Sequence, residues 1–191
     1  MELLLDLWTM KNEYGHGRPF RADDDLHLAG LDIMMAVTFD YPQSDTMIVK
    51  QIEHLKGHNA TDTAMFKDEP VFFPRAPFGP EQEALVYLIH SIAVGFQSVV
   101  PRFAHWLYLQ KPQSRKAVRV QRELIRRNID KSAQRIAQYG IKDKKRLKCA
   151  VDQILLREIE AADRHGVRPN LHKSAIYDEV AIPLSLSVGF A

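Results

Sequence analysis

One cysteine in 191 residues, Cys149, leaves no internal disulfide and no cysteine-rich zinc site, so a secreted, disulfide-stapled scaffold is excluded and a reducing, intracellular setting is favoured. No apolar run reaches the roughly 20 residues that a bilayer-spanning helix needs. The most apolar window, Ala84 to Val100, contains His90, Ser91 and Gln97 and stops at Pro101, so it reads as a buried helix. The first residues carry acids at Glu2 and Asp6 where a signal peptide carries basic residues, and no targeting segment is expected. Alternating strand patterns, internal repeats, a phosphate-binding loop, a dinucleotide fingerprint and a nucleophile elbow are all missing. What is present is 46% apolar content with a net charge of +2, which excludes a disordered polar chain.

Helical periodicity dominates, and the fold class expected is all-α. The first helix is predicted over Leu3 to Tyr14, broken by Gly15 and Gly17. Asp23, Asp24 and Asp25 supply a cap and first-turn acids for a second helix through Phe39, with Leu28, Leu31, Met35 and Phe39 on one face. A weaker helix from Asp45 to Lys56 places Ile48, Ile52 and Leu55 at helical spacing. Four of the ten prolines fall between Pro70 and Pro80, which predicts an extended connection. A helix then runs from Glu81 to about Val100, followed by an aromatic connector of Phe103, Trp106, Leu107 and Tyr108. The next helix, Ser114 to Tyr139, is amphipathic and basic, with Val118, Ile125, Ile129 and Ile136 along its apolar stripe. Another, from Asp143 to His165, repeats Leu147, Val151, Ile154, Leu155, Ile159 and Ala162 and stops at Gly166. A last helix begins near Ser174 and is expected to be interrupted at Pro183.

The charge is unevenly spread. Residues 1–101 hold seven Lys or Arg against fifteen acids, for −8; residues 102–148 hold fifteen against three, for +12; residues 149–191 come to −2. The basic segment, with Phe103, Trp106, Leu107 and Tyr108 ahead of Lys111, Arg115 and Lys116, is the mixture that membrane interfaces favour, so contact through residues 101–119 is expected; a solvated helix face is the alternative. Nucleic-acid binding is not expected, because the aromatics stand apart from the basic helix. His54 and His58, four apart, have the spacing of zinc ligands but lack a third, and two surface histidines are the simpler reading. Asn59-Ala60-Thr61 matches a glycosylation triplet that carries no weight without a secretory signal.

Several strings taken in order resemble the middle of a cytochrome P-450, the haem-thiolate monooxygenases, of the fungal microsomal kind. Asp25-Leu-His-Leu-Ala-Gly-Leu-Asp-Ile-Met-Met-Ala-Val-Thr-Phe39 is similar to that family's E helix, and Pro70 to Pro80 to its E–F connection. Glu81 to Val100 resembles the F helix, Pro101-Arg-Phe-Ala-His-Trp106 the F–G connection, and Ile125-Arg-Arg-Asn-Ile-Asp-Lys131 lies in what resembles the G helix. Leu155 to Gly166, then Ala175-Ile-Tyr-Asp-Glu179, are similar to the H helix and the start of the I helix. The resemblance implies a single partial domain over 1–191, an incomplete helical portion of the cytochrome P-450 fold.

It also implies, for the complete protein, haem, an apolar small-molecule substrate, an electron-donating reductase and the endoplasmic reticulum surface. Phe96, Val99, Val100 and Phe103 become candidates for the substrate-channel wall by position, with helix-core packing as the competing reading. The oxygen-activating Ala/Gly-Gly-x-Asp/Glu-Thr run is not found after Glu179, and no Phe-x-x-Gly-x-Arg-x-Cys-x-Gly loop surrounds Cys149, which sits in Lys145-Arg-Leu-Lys-Cys-Ala-Val151. Cys149 is therefore read as a small, partly buried helix residue. Glu123-Leu-Ile-Arg126 matches the family's Glu-x-x-Arg pattern but is read as a surface pair. This chain is expected to bind no haem or metal and to be non-catalytic alone, leaving a helical membrane- or protein-binding module as the alternative. Poor solubility is expected from apolar stripes left without partners.

Overall fold

A computed structural model describes residues 2–57, 69–139 and 147–186. The described residues are helical apart from their connections and one isolated parallel bridge, Phe20 to Val71. They fall into two compact units, Met1–Ala36 with Tyr41–Pro77, and Val37–Asp40 with Phe78–Ala191.

In the first unit, α1 (Glu2–Tyr14) packs against α3 (Met47–Gly57), and α2 (Asp23–Phe39) opens on its three acids. The predicted α2 stripe is buried at all four positions, Leu28, Leu31, Met35 and Phe39. The Asp45 to Lys56 helix resolves into a 3-10 turn, Gln43–Asp45, followed by α3. The reason is a cap from α2: the Asp32 carboxylate accepts the N–H groups of Met47 (2.7 Å) and Ile48 (3.0 Å), so the helix starts there. Residues 70–79 are extended as expected. Gln51 holds them to α3, donating to the Pro74 carbonyl and accepting from the Ala76 N–H, both at 2.8 Å.

The second unit is built on α4 (Pro80–Phe96) and α6 (Pro112–Tyr139), which pack together; α7 (Ala150–Arg164) and α8 (Ser174–Leu186) lie against α6. Its core includes Leu85, Ile89, Leu124, Ile125, Ile129, Leu155 and Val180. Three expectations are corrected. The aromatic connector is a helix, α5 (Pro101–Leu109), because Pro101 sits at the first helical position, where its missing N–H costs nothing. The helix expected from Asp143 starts at Ala150 among the described residues: Leu147 and Lys148 are not helical and Cys149 is the N-cap, while residues 143–146 lie outside them. Pro183 does not end α8, which continues through it to Leu186, the last described residue, at the cost of the one backbone hydrogen bond its missing N–H would donate.

Gly166 closes α7 as predicted. Its φ is +64°, Val167 N–H reaches the Ala162 carbonyl (3.0 Å) and Gly166 N–H the Asp163 carbonyl (3.1 Å). This pair of bonds is the Schellman arrangement, which needs a left-handed residue at that position.

Candidate functional site

The region with functional character is the α4–α5–α6 corner of the second unit. Residues 97–100 turn the chain out of α4, and α5 returns with no fully buried residue. Of the four channel-wall candidates, Val99 is 99% exposed, Val100 57% and Phe103 59%. Core packing is therefore not what these three do. The Phe96 side chain lies outside the description. Trp106 and Leu107 are exposed too, and the Phe103 and Trp106 rings stack at 5.8 Å, as residues three apart on one helix can. The result is a run of exposed apolar side chains at one end of the α4–α6 pair.

Polar chemistry ties this corner to the helices behind it. Ser114 Oγ donates to the Tyr108 carbonyl at 2.7 Å and lies 3.3 Å from the Tyr87 hydroxyl. Burial, and then the hydrogen bond it gives to Tyr87, push the Tyr108 phenol up to about 12. Tyr87 moves down, through its hydrogen bonds with Ser114 and Tyr108. The Lys111 ammonium lies 4.4 Å from the centre of the Tyr108 ring. Beside them a groove of about 220 Å³ runs between α4 and α6, floored by Ala84 and Ala117 with Glu83 and Lys116 at its rims.

On α6, Arg115, Arg119, Arg122 and Arg126 recur at steps of four, three and four, which places them on one exposed face. Arg126 is bound to Glu123 (2.7 and 2.9 Å) and faces Asp130, as the surface-pair reading expected; Arg115 bonds Gln110, and Arg127 pairs with Glu81. Lys116, Arg119, Arg122 and Lys131 are exposed cations.

Behind this face lies a buried polar centre. Asp152, the third residue of α7, accepts from Ser132 Oγ, from Arg135 Nη2 (2.7 Å) and from the Lys148 N–H (3.0 Å) that precedes the cap. Burial pushes its carboxyl up, but these hydrogen bonds and the Arg135 charge outweigh burial and leave it below its ordinary value. Arg135 also reaches the Cys149 Sγ at 3.4 Å. Cys149 is 3% exposed and burial pushes its thiol up, the reverse of what a thiolate ligand requires. The residues around it do not fit a haem ligand. Among the described residues no group of His, Cys, Asp and Glu could hold a metal ion, and no helix is long and apolar enough to cross a membrane. His54 is half-buried on α3 and already partnered; His58 and Asn59-Ala60-Thr61 lie outside the described residues.

Two groupings had no signal in the sequence. The Tyr87, Tyr108 and Ser114 ring, and a surface contact among Asp130, His172 and Tyr177, join residues from different helices and from loops.

No family model matches the chain, and no solved structure matches it. Curated proteins do. The chain is 24% identical over 184 residues to the cytochrome P450 monooxygenase TRI13 of Fusarium sporotrichioides, covering 93% of this chain and 31% of that protein. It is 24% identical over 178 residues to the cytochrome P450 monooxygenase xilC of Penicillium crustosum, covering 92% and 30%, and 22% identical over 183 residues to a cytochrome P450 monooxygenase of Pestalotiopsis microspora. The chain spans about three tenths of the length of these relatives. Helical throughout the elements of its described residues, the chain is similar along nearly its whole length to fungal cytochrome P450 monooxygenases.

Proposed function

We propose that this chain is a helical portion of a cytochrome P450-type monooxygenase, from about the D helix to the start of the I helix, and that it forms part of the wall and roof of the substrate channel. The observation that carries this reading is the similarity to the fungal enzymes over more than nine tenths of the chain. The exposure of Val99, Val100 and Phe103 supports their role, together with Phe96, as apolar wall residues. The longer protein would hold haem, take electrons from a reductase and insert one atom of dioxygen into an apolar substrate. These 191 residues supply none of the haem ligation, because their one cysteine is a buried N-cap with a raised thiol pKa. Alone, the chain is non-catalytic.

A second reading rests on a separate observation, the exposed Phe103, Trp106 and Leu107 beside the exposed cations of α6. Residues 101–119 would then touch an anionic membrane surface, at the endoplasmic reticulum for a microsomal parent, and could do so without catalysis. Nucleic acid is not the partner proposed.

Reading the transcript through both ends of this chain tests the first proposal. Continuation into a Glu-x-x-Arg helix and a Phe-x-x-Gly-x-Arg-x-Cys-x-Gly loop is expected, with the haem-thiolate carbon monoxide spectrum appearing only in the longer protein. A transcript confined to these residues would overturn it. Flotation with anionic vesicles, lost at high salt, tests the second.

A further inference from the structure

Asp130 in α6, His172 in the loop after α7 and Tyr177 in α8 form a continuous hydrogen-bonded line on the surface of the second unit. His172 Nε2 lies 3.1 Å from Asp130 Oδ1, and its Nδ1 lies 3.1 Å from the Tyr177 hydroxyl. The ionised Asp130 only accepts, so the neutral imidazole carries its proton on Nε2 and turns the Nδ1 lone pair to the phenol. Arg126, held by Glu123, also lies 3.4 Å from the other oxygen of Asp130, so that carboxylate is fixed from the α6 side. Of the neighbouring charges, Lys173 pairs with Glu158 and Arg157 with Glu179. A nucleophile within reach of a base, and the base fixed by a carboxylate, make up the arrangement that activates a hydroxyl. The side chains of His172 and Asp130 are 46% and 42% exposed, so the line is open to reagents.

We propose that Tyr177 is an activated nucleophile that takes acyl groups from activated aryl esters, with His172 as general base and Asp130 orienting the imidazole. Tyr177 Oη attacks the ester carbonyl carbon while His172 Nδ1 takes the phenolic proton. The carbon–oxygen bond to the aryloxide breaks, and the proton passes from the imidazolium to that leaving group. The products are acyl-Tyr177 and a free phenol. With His172 and Asp130 nearly half exposed, the event is a single modification rather than turnover. The inference is independent of the cytochrome P450 reading.

The test is to treat the whole 191-residue chain with p-nitrophenyl acetate, follow nitrophenol release and locate acetyl groups by peptide mass spectrometry. Faster acetylation of Tyr177 than of the exposed Tyr14 is expected. Tyr177→Phe should abolish the adduct there, and His172→Asn should slow it by about tenfold or more. Tyr177 acetylated no faster than Tyr14, or at an unchanged rate in a folded His172→Asn chain, overturns the proposal. If that variant does not fold, the comparison of Tyr177 with Tyr14 in the unaltered chain decides.

Discussion

Lys11 Nζ and Asp25 meet at 2.7 Å with both carboxylate oxygens in reach, at side-chain exposures of only 6% and 2%. The Trp8 indole N–H donates to the same carboxylate at 3.1 Å, and the ammonium lies 5.6 and 5.5 Å from the ring centres of Phe20 and Phe73. One buried pair thus joins α1, α2 and the proline-rich segment of the first unit. Lys11→Met leaves Asp25 buried without a counter-charge, and should cost about 3–5 kcal/mol in urea unfolding. Adding Asp25→Leu should recover most of that loss, because an apolar pair replaces an orphaned charge.

Asp152→Ala removes the acceptor shared by Ser132, Arg135 and the Lys148 N–H, and should destabilise the second unit by about 3 kcal/mol. Because its folded-state pKa is below the unfolded value, the stability Asp152 contributes is present above the ordinary carboxylate range and is lost as pH falls through the lowered value. Acid unfolding followed by circular dichroism should therefore be less steep in the variant.

Gly166→Ala tests the end of α7. No atom stands within 4 Å of an added Cβ, so the whole cost is the left-handed backbone, about 1–2 kcal/mol. A loss near zero in thermal unfolding would contradict the Schellman arrangement.

Spectrophotometric titration should show one of the six tyrosines ionising near pH 12, and Tyr87→Phe should bring it down by removing the acceptor for the Tyr108 hydroxyl. The sign follows from the raised value: Tyr108 stabilises the fold fully below the unfolded phenol pKa of about 10, and that contribution is lost as pH rises toward 12.

Exposed Val99, Phe103, Trp106 and Leu107 should drive self-association of the chain in water. Replacing Phe103 and Trp106 by serine, both half or more exposed, should change stability by under about 0.5 kcal/mol while lowering the mass measured by light scattering.

Much of the helical framework was legible beforehand because spacing alone carries it. Leu28, Leu31, Met35 and Phe39 are a three-four repeat, and such a repeat has one low-energy outcome, a helix with that stripe inward. Gly166 was legible for the same local reason. The starts of α3 and α7 were not, since they are set by carboxylates: Asp32 reaches α3 from α2, and Asp152 binds the chain before α7 together with Ser132 and Arg135 of α6. The aromatic connector was misread because Pro101 breaks a pattern while being well suited to begin a new helix.

By itself, then, the sequence determined the all-helical class, the buried stripes, the concentration of positive charge between residues 102 and 148, and the likeness to the cytochrome P450 monooxygenases. Tertiary structure alone decided that Val99, Val100 and Phe103 face outward, that Cys149 is sealed at a helix start, and that Asp130, His172 and Tyr177 meet. The division has a physical cause. Helix formation and amphipathicity depend on neighbours within about two turns, whereas exposure and side-chain encounters depend on which faces of distant helices pack together.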